Sequence, residues 1–296
     1  MAATFVDDKT PLCVPFILEN YEAHRKEQQE AGSTQPFIVG INGVQGAGKT
    51  TLVKNLEKEL KSKGLETLVC SLDDFYLTRE DQVKLATERS DNALYQHRGV
   101  PGTHDTKFLQ EFITNVLAGR PVSVPIYDKS LHNGHGDRAP SSLWPSPTSP
   151  PAIVILEGWC VGFRALRPST LQTLYTSPSR TLSYHTLDHL TVMNESLALY
   201  EKVWDVLGAF VHIDAEDTTW VYEWREEQEA ALRRDTGGKG MSKEEVVRFV
   251  DGYYPAYELY TADIRKGLFQ GQEGRQGRHL RLIVGRDRKV KEVVQI

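Results

Sequence analysis

Gly43, Gly46, Gly48, Lys49 and Thr50 spell G-x-x-x-x-G-K-T, and Thr51 follows directly. The spacing suits a loop that wraps a polyphosphate. Glycines let the backbone N–H groups of Gly43, Gln45, Gly46, Ala47 and Gly48 turn inward, and a helix opening at Lys49 adds the positive end of its dipole. Lys49 is placed to reach the outer phosphates, while the hydroxyls of Thr50 and Thr51 sit at the helix start, Thr50 as a magnesium ligand. ATP and Mg2+ are therefore the expected cofactors. Magnesium needs a second oxygen from the end of a neighbouring apolar strand, and Glu157, closing AIVILEGW, is the candidate.

Asp73 and Asp74 supply the other half of a transfer reaction. Passing a phosphoryl group to an alcohol requires the hydroxyl to be held in line and its proton accepted as the new bond forms, and one carboxylate can do both. The pair follows the apolar run TLVCSL. Read as the end of a strand, the two side chains point oppositely, so one of them enters the site.

These residues need a scaffold that brings strand ends together. PFIVGING reads as a buried strand before the loop, TTLVKNLEKELKSKG as a helix with Leu52, Val53, Leu56 and Leu60 on one face, and TLVCSLDDFY as the second strand. An amphipathic helix over residues 14–30 precedes them. Further on come a polar helix, the loop YQHRGVPGTHD, the helix DTKFLQEFITNVLAG, the extended VSVPIYDK and a Pro/Ser-rich loop over 139–151. AIVILEGW is a strand covered on both faces. LDHLTVMNESLALYEKVWDVLG is then a helix, AFVHIDA a strand and DTTWVYEWREEQEAALRRD a long charged helix. Ser242 and Glu245 form a capping box that opens a helix running towards Pro255. Residues 279–295 read as a C-terminal hairpin turning at GRDR. Alternation of this kind specifies an α/β three-layer P-loop NTPase fold: a mostly parallel sheet with helices on both faces, a helical lid over 217–262 and the terminal hairpin, all within one domain spanning 1–296.

The bulk numbers agree with an ordinary globular chain: 296 residues, 40% hydrophobic, 25% charged, formal net charge -5. So mild a charge recruits neither nucleic acid nor an anionic membrane. Cys13, Cys70 and Cys160 lie far apart, as buried thiols of a reducing compartment do. The start MAATFVDDKT lacks the features of a signal or transit peptide, so the expected location is the cytoplasm, with access to the nucleus, and the expected state a monomer. Arg275, Arg278, Arg281, Arg286, Arg288, Lys289 and Lys291 make the end basic, yet aromatic residues are not interleaved with them, and an edge hairpin protected by charge is the reading.

GVQGAGKTT, SLDDFY, PIYDKS and ILEGW occur in the same order as in the P-loop kinases that include uridine kinase, phosphoribulokinase and pantothenate kinase. That resemblance points to Asp73 as the base. RGVPGTHD, the YDKS of PIYDKS, YEWREEQE and MSKEEVVRFVDGYYPAYELY resemble, more narrowly, the D-glycerate 3-kinase family and its fungal relatives, over nearly the whole chain. The implied reaction is ATP-dependent phosphorylation of a small-molecule hydroxyl, with D-glycerate or a similar small acid as acceptor. So small an acid cannot be held by apolar burial and needs a cation, for which Arg98, His104 and Lys129 in the family-like loops are the candidates. Asp105 accepts from hydroxyls or caps the next helix. Asp74, Tyr76 and Tyr127 complete the acceptor wall. Arg225, after Trp224 on the long charged helix, is the arginine expected over the transferred phosphate, with Arg233 and Arg234 as further candidates and the run RRDTGGKGMS as a moving lid. The H-x-x-H of His132 and His135 lacks a third ligand and is not read as a metal site. A nucleoside or pantothenate-type kinase and a non-catalytic ATP-binding regulator are the alternatives; a guanine-binding switch would carry N-K-x-D, which does not occur.

Overall fold

The computed structural model describes residues 7–238 and 240–296. In chain order the elements are α1 (Thr10–Glu30), β1 (Phe37–Gly43), α2 (Lys49–Ser62), β2 (Thr67–Ser71), α3 (Arg79–Glu88), α4 (Thr106–Leu117), β3 (Tyr127–Asp128), β4 (Asp137–Arg138), β5 (Ile153–Gly158), α5 (Pro168–Thr176), α6 (Leu187–Ser196), α7 (Glu201–Trp204), β6 (Ala209–Ala215), α8 (Trp220–Asp235), α9 (Lys243–Asp251), α10 (Tyr254–Ile264), β7 (His279–Val284) and β8 (Val290–Gln295).

Six strands form one sheet in the order β2-β5-β1-β6-β7-β8. All neighbours are parallel except β7 and β8, which form the antiparallel C-terminal hairpin. β1 and β6 are buried at every position, which only strands covered on both faces can be, and their sequences are mainly apolar, with Asn42, His212 and Asp214 as buried polar residues. β8 is the half-exposed edge, and its lysine and glutamate guard it against pairing with another chain. Parallel strands with their C-terminal ends together place Gly43, Ser71, Gly158 and Ala215 along one edge of the sheet. The loops that leave this edge build the site.

Four expectations change. α1 begins at Thr10, because Asp7 caps it: Asp7 Oδ1 accepts the N–H groups of Lys9 at 3.2 Å and Thr10 at 3.1 Å, and Pro11 in the first turn lacks only an N–H that would have had no intrahelical partner. β2 stops at Ser71, and Leu72–Phe75 is a 3₁₀ turn closed by a capping box of Ser71 with Asp74. Residues 187–208 are not one helix: a 3₁₀ turn at Leu197–Tyr200 separates α6 from α7. The Ser242 capping box opens α9, but the helix ends at Asp251 and a new one, α10, starts at Tyr254 with Pro255 in its first turn. The run RRDTGGKGMS contains Lys239, and the start MAATFVDDKT includes residues 1–6; both of those parts lie outside the described residues.

Two polar anchors fix the later elements to the sheet. Asp214, 1% exposed, receives both Arg265, just after α10, and Arg281 of β7 through paired bonds of 2.6–3.1 Å. The basic C-terminal residues are matched within the chain: Arg278 pairs with Glu27, Arg286 with Glu223, Arg288 with Glu227 and Lys291 with Glu216.

Candidate active site

The loop after β1 has the backbone its glycines allow. Gly46 (φ +81°) and Gly48 (φ +99°) are left-handed, and a Cβ on Gly46 would lie 2.6 Å from Trp224 Cβ. Lys49 Nζ donates to the carbonyls of Gly43 at 2.6 Å and Val44 at 3.3 Å. Burial lowers the Lys49 pKa, against the opposing pull of Glu157 and Asp73. Thr50 and Thr51 are exposed at the start of α2. The loop is clamped from outside: Gln45 N–H donates to the Tyr257 hydroxyl at 3.3 Å and Arg288 Nε to the Gly46 carbonyl at 2.8 Å, with its guanidinium over the Trp224 ring. Neither Tyr257 nor Arg288 carries a signal in the sequence that ties it to this loop.

Asp73 and Asp74 sit on the 3₁₀ turn rather than on a strand, and the turn separates their surroundings. Asp74 is spent on structure: Oδ1 accepts the Tyr127 N–H at 3.1 Å and Oδ2 the Ser71 N–H at 3.3 Å, and burial raises its pKa. Asp73 Oδ2 instead accepts Lys129 Nζ at 2.5 Å. Burial pushes the Asp73 pKa up, but Lys129 above all, with a hydrogen bond from Tyr76, more than reverses this and holds it below the usual carboxylate range.

Two loops bring the pocket residues to Asp73. Lys129 is carried by a turn in which Asp128 Oδ1 accepts the N–H and hydroxyl of Ser130. Tyr76 and His104 form an isolated bridge, and their rings stack at 4.5 Å. Tyr127 packs edge-on against Tyr76 at 5.3 Å. Arg98 lies over the Tyr127 ring and donates to the carbonyls of Gly134 and His135, tying the RGVPGTHD loop to the turn after YDKS. His104 is not the cation that was expected of it: burial drives its pKa down to about 4, so the ring is neutral near pH 7. Asp105 has both oxygens engaged elsewhere, capping α4 through the Phe108 N–H at 2.9 Å and pairing with Arg138 at 3.3 Å. His132 pairs with Asp137 at 3.2 Å.

Helices α8–α10 cover this edge. Arg225 donates to buried Glu229 at 2.5 Å and lies over the Phe249 ring, whereas Arg233 is tied to Glu226 and the Met241 carbonyl. Tyr253, at the break between α9 and α10, packs on Gly99 so closely that a Cβ there would meet the ring at 2.5 Å, and its hydroxyl donates to the Arg98 carbonyl at 3.3 Å. Asp73, Arg98 and Arg225 all act electrostatically on that phenol. Trp159, after Glu157, packs edge-on against Tyr253 and Tyr257. Tyr253 lay inside a quoted motif, but nothing in the motif says which of its aromatic residues faces the site; Trp159 carried no signal beyond its place after the acid.

Thr50, next to Lys49 in the chain, and Glu157, which acts on the Lys49 ammonium, offer hard oxygen donors that suit magnesium, an ion that takes one or two carboxylates plus phosphates and water. The described residues contain no group of three or more His, Cys, Asp or Glu able to hold a metal by themselves, as a site shared with phosphates does not require one. A cavity of about 440 Å³ lined by His24, Phe37, Gly208, Arg275 and Arg278 lies at the opposite end of β1, away from this chemistry.

Fold and loop together define an ATP-dependent kinase of the P-loop class acting on a small molecule, and comparison with known proteins narrows the class. Residues 38–165 match the Phosphoribulokinase / Uridine kinase family. The chain is 40% identical over 245 residues to an uncharacterized kinase of Schizosaccharomyces pombe, covering 80% of this chain and 86% of that one. It is 37% identical over 242 residues to the chloroplastic D-glycerate 3-kinase of Arabidopsis thaliana, covering 80% of this chain and 50% of the plant protein. The solved structure of a D-glycerate 3-kinase from Cryptococcus neoformans superposes with a TM-score of 0.88 at 32% identity, over 98% of this chain and 100% of that one. The chain belongs to this family, that of D-glycerate 3-kinase and its fungal ATP-dependent kinase relatives.

Proposed function

We propose that the protein transfers the γ-phosphate of ATP to a hydroxyl of D-glycerate or a similarly small hydroxy acid. The observation that carries this reading is the Asp73–Lys129 pair, a carboxylate held ionised beside an exposed ammonium at 2.5 Å. Lys129, with Arg98 from the RGVPGTHD loop, supplies the positive charge for an acceptor carboxylate, while Asp73 takes the hydroxyl proton. The acceptor oxygen bonds to phosphorus, the bond from phosphorus to the β-phosphate oxygen breaks to leave ADP, and the proton ends on Asp73. Lys49 and the loop amides hold the phosphates; Arg225 faces the transferring group once its grip on Glu229 is exchanged for phosphate oxygens. Thr50 and Glu157 would hold magnesium, which supplies charge neutralisation when bound. Tyr76, Tyr127 and Tyr253 crowd the acceptor side, which favours a small acid over a nucleoside. We read the chain as one cytoplasmic catalytic unit, in keeping with three buried free thiols.

A coupled ADP-release assay with D-glycerate, uridine, pantothenate and no acceptor tests this. Turnover with D-glycerate alone is expected. Preference for uridine or pantothenate moves the assignment to the nucleoside or pantothenate-type kinases, and ATP binding without stimulation by any acceptor favours a regulator.

A further inference from the structure

His104 carries a ring nitrogen that the protein does not use. The residue is 4% exposed, with one face stacked on Tyr76. Nδ1 lies 2.7 Å from the Tyr200 hydroxyl, whereas Nε2 is buried with no hydrogen-bond partner among the described residues. Tyr200 is 0% exposed, and its oxygen accepts the Gly102 N–H at 3.1 Å.

The direction of this chain follows from what each group can do. A main-chain N–H only donates, so the Tyr200 oxygen accepts a hydrogen bond from Gly102. If Nδ1 also donated to that oxygen, the hydroxyl hydrogen of Tyr200 would be buried without an acceptor, at the full desolvation cost of a polar group. The arrangement that satisfies every member is Gly102 N–H to Tyr200 oxygen and Tyr200 O–H to His104 Nδ1. The ring proton then sits on Nε2, where no protein group accepts it. The ring stacks at 4.5 Å on Tyr76, whose side chain bonds to Asp73, and Asp73 and then Lys129 are the charged groups that act on it, beside the proposed transfer chemistry.

We propose that Tyr200 is a positioning residue that locks His104 as an Nε2–H donor, and that this N–H is reserved for a carboxylate or hydroxyl oxygen of the acceptor molecule. The inference rests on the kinase reading above and deepens it. His104 contributes direction and not charge, so the acceptor carboxylate owes its counter-charge to Lys129 and Arg98. It is Tyr200, remote in sequence and outside every motif, that keeps the donor in its tautomer.

The test has two arms. Nitrogen-15 NMR of the full chain, without acceptor, is expected to show His104 protonated at Nε2 and bare at Nδ1, with a mixture of tautomers in Tyr200→Phe; a wild-type ring protonated at Nδ1 overturns the proposal. Steady-state kinetics with D-glycerate should show Tyr200→Phe and His104→Phe raising the acceptor KM at least tenfold with the ATP KM unchanged. His104→Gln, whose amide can stand near Nε2, should recover part of the loss, and His104→Asn should not. Unchanged acceptor KM in a folded His104→Phe also overturns it. Absence of any turnover with D-glycerate counts against the substrate reading alone, and the NMR arm then decides the tautomer lock on its own.

Discussion

Asp73 stands between two opposed effects, and the balance sets how the chemistry responds to pH. Burial favours its neutral form, while Lys129 at 2.5 Å, helped by Tyr76, favours the charged one and wins. The acidic limb of the kcat/KM profile is therefore expected below the ordinary carboxylate range. Lys129→Met removes the largest stabiliser of the charge, so burial prevails and the limb moves to higher pH; a profile that stays in place would show that Asp73 is not the titrating base. Asp73→Asn keeps the shape but accepts no proton, and kcat should fall about 10²–10⁴-fold with ATP binding retained, as measured by calorimetry. Lys49→Ala should weaken ATP binding and lower kcat about 10²–10³-fold, the usual consequence of losing one preorganised electrostatic stabiliser.

At the scale of elements, function depends on how α9 and α10 are joined. Tyr253 lies at the join between α9, which ends at Asp251, and α10, which starts at Tyr254, and its ring packs on Gly99. Gly99 (φ +148°) is where a side chain would collide with it, so Gly99→Ala is expected to displace Tyr253 and raise the acceptor KM more than the ATP KM. Equal effects on both would mean that the contact serves stability alone. The start of α9 is fixed locally: Ser242 Oγ accepts the Glu245 N–H at 3.2 Å and Glu245 returns a bond to the Ser242 N–H at 2.8 Å. Ser242→Ala should cost about 1 kcal/mol in chemical denaturation.

Across the whole molecule, three histidines are buried in neutral form. The pKa of His104 and that of His212 are pushed down to about 4, and that of His279 to about 3, burial being the main cause in each. Unfolding returns them to about 6.5, so between that value and the folded pKa the unfolded chain binds protons that the folded one does not. Stability is complete above about pH 6.5 and falls as pH drops, by roughly 1.4 kcal/mol per pH unit for each histidine. Melting curves should show Tm level from pH 7.5 to about 6.5 and falling from there to pH 5. His279→Asn keeps an acceptor for the Leu268 N–H that Nδ1 now receives at 3.1 Å, and should make the fall shallower. A Tm independent of pH over this range would contradict the neutral burial.

Legible in the chain alone were the phosphate loop, the strands β1, β2, β5 and β6, the terminal hairpin and the Ser242 capping box. Each of these is set by residues adjacent in the chain: glycine freedom, apolar runs of strand length, a serine three residues before a glutamate. Even the separate surroundings of Asp73 and Asp74 were anticipated, though from strand alternation, whereas the structure achieves them with a 3₁₀ turn whose cap uses Asp74 itself. Tertiary structure alone decided which polar groups meet across the fold. It set Lys129 on Asp73, 56 residues away, and the Tyr200 hydroxyl on His104, 96 residues away. It also withdrew Asp105 into a cap and an ion pair, and made His104 neutral by burying it. A side chain's charge depends on the water it loses and the partners it gains, and both are fixed only when distant loops close over the same strand ends.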